Sequence, residues 1–125
     1  MYKRQLIDSE PFWINAHKQV LGSYGHTLSN HDVATQAGRR TDEIAQTWID
    51  RFSITDVTAK DLADKIVSTA EKEIVSCVEP KQGVSYITEL FSEHNIPMAI
   101  ASSARQEVIE GVVKKLGLDL SLIHI

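Results

Sequence analysis

The sequence has few of the residues and runs that mark several protein classes. Its 125 residues include one cysteine, Cys77, three prolines and six glycines. An internal disulfide is therefore impossible, and a collagen-like chain is excluded. The longest apolar runs, such as Met98–Ala101, are far shorter than the roughly 20 residues that a membrane-spanning helix needs. We therefore expect no membrane partner and a reduced, cytoplasmic location.

The charge of the chain gives no sign of a polyanionic partner. Thirteen Lys and Arg residues stand against 17 Asp and Glu residues, for a formal net charge of -4, and no basic run interrupts the sequence. Nucleic acid is therefore not expected as a partner. With 42% hydrophobic and 24% charged residues, the composition is that of an ordinary soluble globular domain. A chain of this length can bury roughly two thirds of its unfolded surface.

Four amphipathic helices are predicted in the first part of the chain. A helix begins at Ser9-Glu10-Pro11 and ends before Gly25, because Ser accepts first-turn amides and Gly adopts the left-handed stop. Three further N-caps are predicted at Ser29, Thr41 and Thr58. The fourth helix carries an apolar stripe at spacings of three or four: Leu62, Ile66, Ala70, Ile74 and Cys77. Such helices with short connections indicate a small bundle.

The character of the sequence changes after Pro80. A fifth helix is predicted to end near His94-Asn95, with an inward face of Val84, Ile87, Leu90 and Phe91. The apolar segment Met98–Ala101 shows no alternation, which predicts a strand buried on both faces. A helix with Val108, Ile109, Val112 and Leu116 inward then follows. This order is a βα unit of a doubly wound α/β sheet.

Three segments together resemble the haloacid dehalogenase superfamily. They are Leu6–Trp13, the turn Gly38-Arg39-Arg40, and the strand with its end, Met98–Ala104. Their order resembles the sugar-phosphate phosphatase branch, which includes 2-deoxyglucose-6-phosphate phosphatase and β-phosphoglucomutase. The resemblance implies an α/β fold with a HAD-like Rossmannoid core, only partly present here, and a four-helix bundle cap. The chain itself is expected to be predominantly α-helical.

The resemblance also implies a reaction and a phosphate site. In the family a first Asp attacks phosphorus to give an aspartyl-phosphate, and a second Asp acts as general acid and base. Mg²⁺ and a strand-end Ser or Thr bind the phosphoryl oxygens. Ser102 matches that strand end, with Ser103 and Arg105 as lesser neighbours. A plain helix cap is the alternative role for Ser102.

Other positions match the family's hinge and cap. Asp8, Ser9 and Glu10 match the joint between core and cap, although N-capping alone also explains them. Arg40, after Gly38, matches a cap position that reaches substrate, and a solvated turn charge is the alternative.

Aromatic residues and histidines add less to the predicted site. Trp13 occupies the position of a His in mutase members, which favours hydrolysis. Trp13 and Trp48 otherwise indicate core positions of the helical layer. The four internal histidines lack metal-ligand spacing, so we expect them to be solvated or locally bonded: they are His17, His26, His31 and His94.

The beginning of the chain departs from the family. Counting back from Asp8, the nucleophile Asp falls on Met1, the acid-base Asp on Lys3 and the family's Gly on Arg4. Met cannot form an acyl-phosphate and Lys cannot hold magnesium. The later Lys and acidic metal ligands of the family are also not found before Asp119. The chain is therefore expected to retain no metal ligands and to be inactive by itself.

Both terminal segments match translated adapter sequence. With GTG as a start codon, one strand of a transposase mosaic end used in library preparation would encode residues 1–5, and the opposite strand would encode residues 120–125. We therefore predict adapter-derived tails at 1–5 and 120–125, which are not expected to belong to the fold. A natural, degenerate terminus on each side is the alternative. Between the two tails we predict a strand and hinge remnant at 6–11, a helical cap at 12–78 and a partial core at 79–119.

The preferred hypothesis is a fragment of a Mg²⁺-dependent phosphatase acting on small sugar or sugar-alcohol phosphates. One alternative is a non-catalytic helical binding module, which would have its own start and stop codons at these ends. Another is that the parent is a β-phosphoglucomutase-like mutase. Phosphate release or isomer formation by the complete protein would separate these two enzyme activities.

Overall fold

A computed structural model describes residues 6–102, 104–118 and 122–124. The described chain is predominantly helical, as expected, and the α/β class is confirmed. Its elements in chain order are α1 (Glu10–Ser23), α2 (Asn30–Ala34), α3 (Thr41–Phe52), α4 (Ala59–Cys77), α5 (Val84–Glu93), β1 (Met98–Ile100), α6 (Gln106–Lys115) and β2 (Leu122–His124).

The chain divides into two compact units. The helical unit comprises residues 10–72, and the α/β unit comprises the described residues of 6–9 and from 73 onward. The first boundary, between Ser9 and Glu10, falls inside the predicted hinge remnant at 6–11. The second, between Lys72 and Glu73, falls within the continuous helix α4.

Local capping signals position two helices of the helical unit. The Ser29 Oγ accepts the Asp32 N–H at 3.1 Å, and the Asp32 carboxylate accepts the Ser29 N–H at 2.8 Å, which makes a capping box at α2. The Thr58 Oγ1 accepts the Asp61 N–H at 3.2 Å at the start of α4. These two predicted caps are confirmed.

The predicted cap at Thr41 is wrong. Thr41 is the first helical residue of α3, and Arg40 is the N-cap, with extended backbone and no side-chain cap hydrogen bond. A β-region backbone is what an N-cap needs, and here Arg40 adopts it one residue earlier than predicted.

A single apolar cluster holds the helical unit together. Its buried members come from α1 to α4 and the loop before α2: Ala16, Val20, Leu21, Leu28, Val33, Ile44, Ala45, Trp48, Leu62, Ala63, Ile66 and Ala70. Trp48 is 1% exposed, and Trp13 packs against the cluster partly buried, so both tryptophans are core residues as predicted. Removing such area from water stabilises the unit by roughly 25 cal/mol per Å² of apolar surface.

Two apolar positions are more exposed than their helical stripes predicted. Cys77 is exposed although it continues the stripe of α4, and Ile87 on α5 is 39% exposed. An apolar stripe identifies residues that share one face of a helix, but these residues are buried only if another element packs on that face. No described element buries Cys77 or Ile87.

The α/β unit contains a parallel strand pair. Its β1 and β2 are in register, with Met98 opposite Leu122 and Ile100 opposite His124. The connection between the strands contains α6, as in a βα unit. Strand β1 ends at Ile100, and its residues are half-buried, exposed and half-buried, so the predicted burial on both faces is wrong. Strand β2 lies in the segment 120–125, which the sequence predicts to be an adapter-derived tail.

The start of the described chain belongs to this same unit. The Leu6 carbonyl accepts the Lys81 N–H at 2.8 Å, which ties the segment before α1 to the segment before α5. In α6, Val108 and Ile109 are buried as predicted. Gly111 faces Val75 of α4 so closely that a Cβ at this glycine would lie 3.0 Å from both Val75 γ-methyls.

Candidate functional site

The segment after β1 carries the predicted phosphate-binding serine. Ser102 is exposed and lies two residues beyond the end of the strand. Its Oγ accepts the Ala104 N–H at 3.2 Å, a local turn contact that precedes α6. Because a hydroxyl accepts and donates at once, the Ser102 O–H can still donate to an anion. Ser103 lies outside the described residues.

Helix α6 begins immediately after this turn. Arg105 is its N-cap, with φ -63° and ψ 148°, and its side chain makes no cap hydrogen bond. The first amides of a helix have no intrahelical acceptor and lie at the positive end of the helix dipole. Ser102 thus lies shortly before the start of α6, and a hydroxyl near the first amides of a helix can bind a phosphoryl oxygen.

The turn before α3 carries the predicted cap arginine. Gly38 has φ +85°, a left-handed conformation that glycine adopts without strain. The Arg40 guanidinium donates to the Asp42 carboxylate through Nε at 3.1 Å and Nη2 at 3.0 Å. Arg40 is also 77% exposed, so this bidentate pair leaves its other N–H groups facing solvent. Gly38 and Arg40 belong to the helical unit, whereas Ser102 and Arg105 belong to the α/β unit.

The predicted hinge residues lie at the first boundary between the units. Asp8 is exposed, Ser9 is half-buried, and Glu10 is the first residue of α1. Asp8 and Glu10 both interact with other groups in the structure. Their role as a hinge stays a prediction.

Within the described part of the chain, no three His, Cys, Asp or Glu side chains lie together in a way that could hold a metal ion. No residue is assigned to a metal.

The sequence did not reveal the environment of His17. This side chain is 4% exposed, and its Nδ1 accepts the Trp48 Nε1–H at 3.3 Å. Burial lowers the pKa of His17 from 6.5 to about 4, so the imidazole is neutral at pH 7. The expectation of a solvated or locally bonded histidine is wrong here. Its spacing of four from both Trp13 and Leu21 is the signal that could have indicated a core position.

One half-buried carboxylate also has a strongly shifted pKa. The Ser29 hydroxyl and amide hold the pKa of Asp32 far below its usual range, and Arg51 adds to this effect at 2.8 Å. Since these donors belong to a helix cap and an ion pair, the shift reflects local structure rather than a reactive group.

Comparison with known proteins gives the family of the chain. Residues 4–125 match the family described as haloacid dehalogenase-like hydrolase, and the chain belongs to this family. Hexitol phosphatase B of Escherichia coli K12 is 25% identical over 118 residues, covering 90% of this chain and 51% of that protein. The chain thus spans about half the length of the curated relatives it matches.

Solved structures of HAD enzymes superpose on this chain and show the same fold. A Thermotoga maritima protein assigned as a β-phosphoglucomutase superposes with a TM-score of 0.80 at 19% identity, over 96% of this chain and 56% of that one. A HAD hydrolase of family IA, variant 3, from Entamoeba histolytica gives 0.75 at 20% identity, over 96% and 56% of the two chains. The predicted resemblance to HAD enzymes is confirmed. Among the described residues, no helix has the length and apolarity needed to cross a membrane.

Proposed function

We propose that this chain is part of a phosphatase that hydrolyses phosphate esters of small sugars or sugar alcohols. The observation that carries the proposal is the similarity to hexitol phosphatase B, which extends over 90% of the chain. Strand-end Ser102 supports it, because a hydroxyl next to the first amides of α6 suits a phosphoryl group.

In this proposal the α/β unit binds the phosphate. Ser102 donates its hydroxyl proton to a phosphoryl oxygen, and the first α6 amides donate to the same group. Arg105 and Ser103 are secondary candidates, since they flank this turn in the sequence. Binding of this kind would hold phosphorus in place for in-line attack.

Arg40 in the helical unit is a candidate for binding sugar hydroxyl groups. The Arg40 guanidinium is paired with the Asp42 carboxylate, so the charges of the two side chains nearly cancel. The pair still exposes hydrogen-bond donors and acceptors to solvent. Such a pair suits hydroxyl groups of a sugar or sugar alcohol. Asp8, Ser9 and Glu10 form the joint at which the cap would move.

The chemical step requires an Asp that this chain does not have at the matching place. Met1 and Lys3 stand where the family has its nucleophile and its acid-base Asp. We therefore propose that the aspartyl-phosphate reaction, with the Mg²⁺ that HAD enzymes generally use, belongs to the complete hydrolase. The chain by itself is proposed to be inactive.

Hydrolysis is favoured over mutase activity by one residue. Trp13 occupies the position where mutase members of the family carry a His, and it packs in the helical core. A complete enzyme of this kind should release inorganic phosphate from a hexitol phosphate. Conversion to an isomer without phosphate release would instead support the mutase hypothesis.

The phosphate site can be tested on the chain as it is. In NMR titrations with inorganic phosphate, we expect saturable shifts at the amides of residues 104–107. Ser102→Ala should weaken this binding about fivefold, because it removes one charge-assisted hydrogen bond. Ser92→Ala, an exposed serine near the end of α5, serves as the matched control. Equal affinity in the wild-type chain and Ser102→Ala would contradict the site.

A further inference from the structure

The buried pair of His17 and Trp48 joins two helices of the helical unit. His17 lies in α1 and Trp48 in α3, 31 positions apart in the sequence. Their rings meet edge to face, with centroids 6.3 Å apart and planes at 73°. Trp48 is 1% and His17 is 4% exposed, so water cannot readily replace the hydrogen bond between them.

The direction of this hydrogen bond fixes the protonation state of the imidazole. Indole Nε1–H can only donate, so His17 Nδ1 must accept and the ring proton lies on Nε2. Adding a proton to Nδ1 would turn the acceptor into a donor and place two N–H groups head to head. It would also put a positive charge among apolar side chains.

Charged groups around the pair do not compensate such a charge. On α3, the Arg51 guanidinium lies 5.9 Å from the Trp48 ring centroid, and on α2 the Asp32 carboxylate is already paired with Arg51. On α1, Lys18 is exposed and donates to Asn30.

The remaining neighbours add no counter-charge either. The His26 ring before α2 stacks on Phe52 instead, at 4.6 Å. Helix α4 contributes the buried residues Leu62, Ala63, Ile66 and Ala70 to the cluster, while its charged Asp61, Asp64 and Lys65 are exposed.

We propose that the His17–Trp48 pair makes the helical unit acid-sensitive: uptake of one proton at His17 Nδ1 breaks the contact between α1 and α3 and loosens this unit. The proposal concerns the stability of the helical unit and stands independently of the proposed phosphatase activity.

The direction and pH range of the effect follow from linkage. The folded pKa of about 4 lies below the unfolded value of 6.5, so the unfolded chain binds the proton first. Stability is therefore fully present above pH 6.5 and is lost as the pH falls toward 4. At pH 5 the unfolding equilibrium constant should be roughly 30-fold larger than at pH 7.5 because of His17 alone. Carboxylates contribute less to the difference between pH 5 and pH 7.5, because they titrate mainly below pH 5.

The test compares urea unfolding at pH 7.5 and pH 5.0 in the complete 125-residue chain. His17→Asn should reduce the roughly 30-fold effect to threefold or less, since the Asn Oδ1 can accept the Trp48 N–H without titrating. His31→Asn, at an exposed histidine of α2, should keep the wild-type dependence. A His17→Asn variant that keeps the full pH dependence would overturn the proposal.

Two NMR measurements on the wild-type chain decide the question even if His17→Asn does not fold. The His17 ring should titrate with a midpoint near pH 4 and show the Nε2–H tautomer at pH 7. On acidification, protection from amide exchange should fall more in α1 and α3 than in α5 and α6. A midpoint between pH 6 and 7, or an equal loss of protection in all four helices, would contradict the proposal.

Discussion

At the residue scale, Gly111 shows how one missing side chain sets the approach of two helices. Helix α6 passes α4 at a point where a Cβ would lie 3.0 Å from both γ-methyls of Val75. Val75 is β-branched and has one strongly preferred rotamer in a helix, so neither methyl can readily turn away. The glycine is therefore a packing requirement, even though glycine is a poor helix former.

Replacing this glycine should destabilise the chain. Although alanine favours a helix over glycine by up to about 1 kcal/mol, the overlap with Val75 should dominate, and we expect Gly111→Ala to lower the free energy of unfolding by about 1 kcal/mol. Urea unfolding followed by circular dichroism measures this change. Gly22→Ala is the control, because a Cβ there meets nothing within 4 Å, and it should raise stability by about 0.5 kcal/mol.

A double-mutant cycle separates overlap from other effects. In a Val75→Ala background, Gly111→Ala should no longer destabilise, because the two methyl groups are gone. If the penalty persists in this background, contact with Val75 is not its cause.

Single residues also differ in how far their environment or role can be predicted from the sequence. Ser102 is predicted as a phosphate-binding residue from its place in an ordered set of motifs, which needs no knowledge of contacts. The environment of His17 is not predicted, because its burial depends on Trp48, which is distant in sequence. Its spacing from Trp13 and Leu21 is compatible with the apolar face, but only the partner on α3 explains why a polar ring is tolerated there.

At the element scale, helix starts were predicted best where a side chain supplies the missing acceptor. Ser29 and Thr58 cap α2 and α4 as expected. The start of α3 was placed one residue late because Arg40 fills the cap position by backbone conformation alone. Local chemistry predicts a cap only when a side chain carries it.

Removing the α2 cap should have a measurable effect. Ser29→Ala deletes the acceptor of the Asp32 N–H, so we expect the free energy of unfolding to fall by about 1 kcal/mol. Ser68→Ala in the middle of α4 is a suitable control, since α4 gains helix propensity there and no cap is lost. Equal urea midpoints for Ser29→Ala and the wild-type chain would show that the capping box contributes nothing.

Strands were harder to predict than helices. Strand β1 was recognised from its apolar residues, yet its exposure depends on neighbouring strands that a local pattern does not report. Strand β2 is not predicted from the sequence, because the segment 120–125 is expected to be an adapter-derived tail. Pairing between β1 and β2 joins parts of the chain that local sequence cannot relate.

At the scale of the whole molecule, two divisions of the chain can be compared. The structure divides the chain into two units by packing, whereas the predicted cap and core follow from the order of the family's motifs. Gly38 and Arg40 lie in one unit and Ser102 and Arg105 in the other, so only the family resemblance relates these two sets of residues.

The whole chain should not release phosphate. Purified chain mixed with a hexitol 6-phosphate and Mg²⁺ is expected to give no inorganic phosphate above the uncatalysed rate, because Met1 and Lys3 cannot replace two aspartates. A colorimetric phosphate assay measures this, with buffer lacking the chain as the control. Turnover that disappears on Ser102→Ala would disprove the proposed inactivity.

Cys77 gives the molecule a convenient chemical handle. It is the only cysteine of the chain, is exposed, and lies at the end of α4 beyond the boundary at Lys72, in the α/β unit. Both tryptophans, Trp13 and Trp48, lie in the helical unit. A maleimide dye on the thiol and the intrinsic indole emission therefore report separately on the two units, so one labelled sample can show whether they unfold in one step or two.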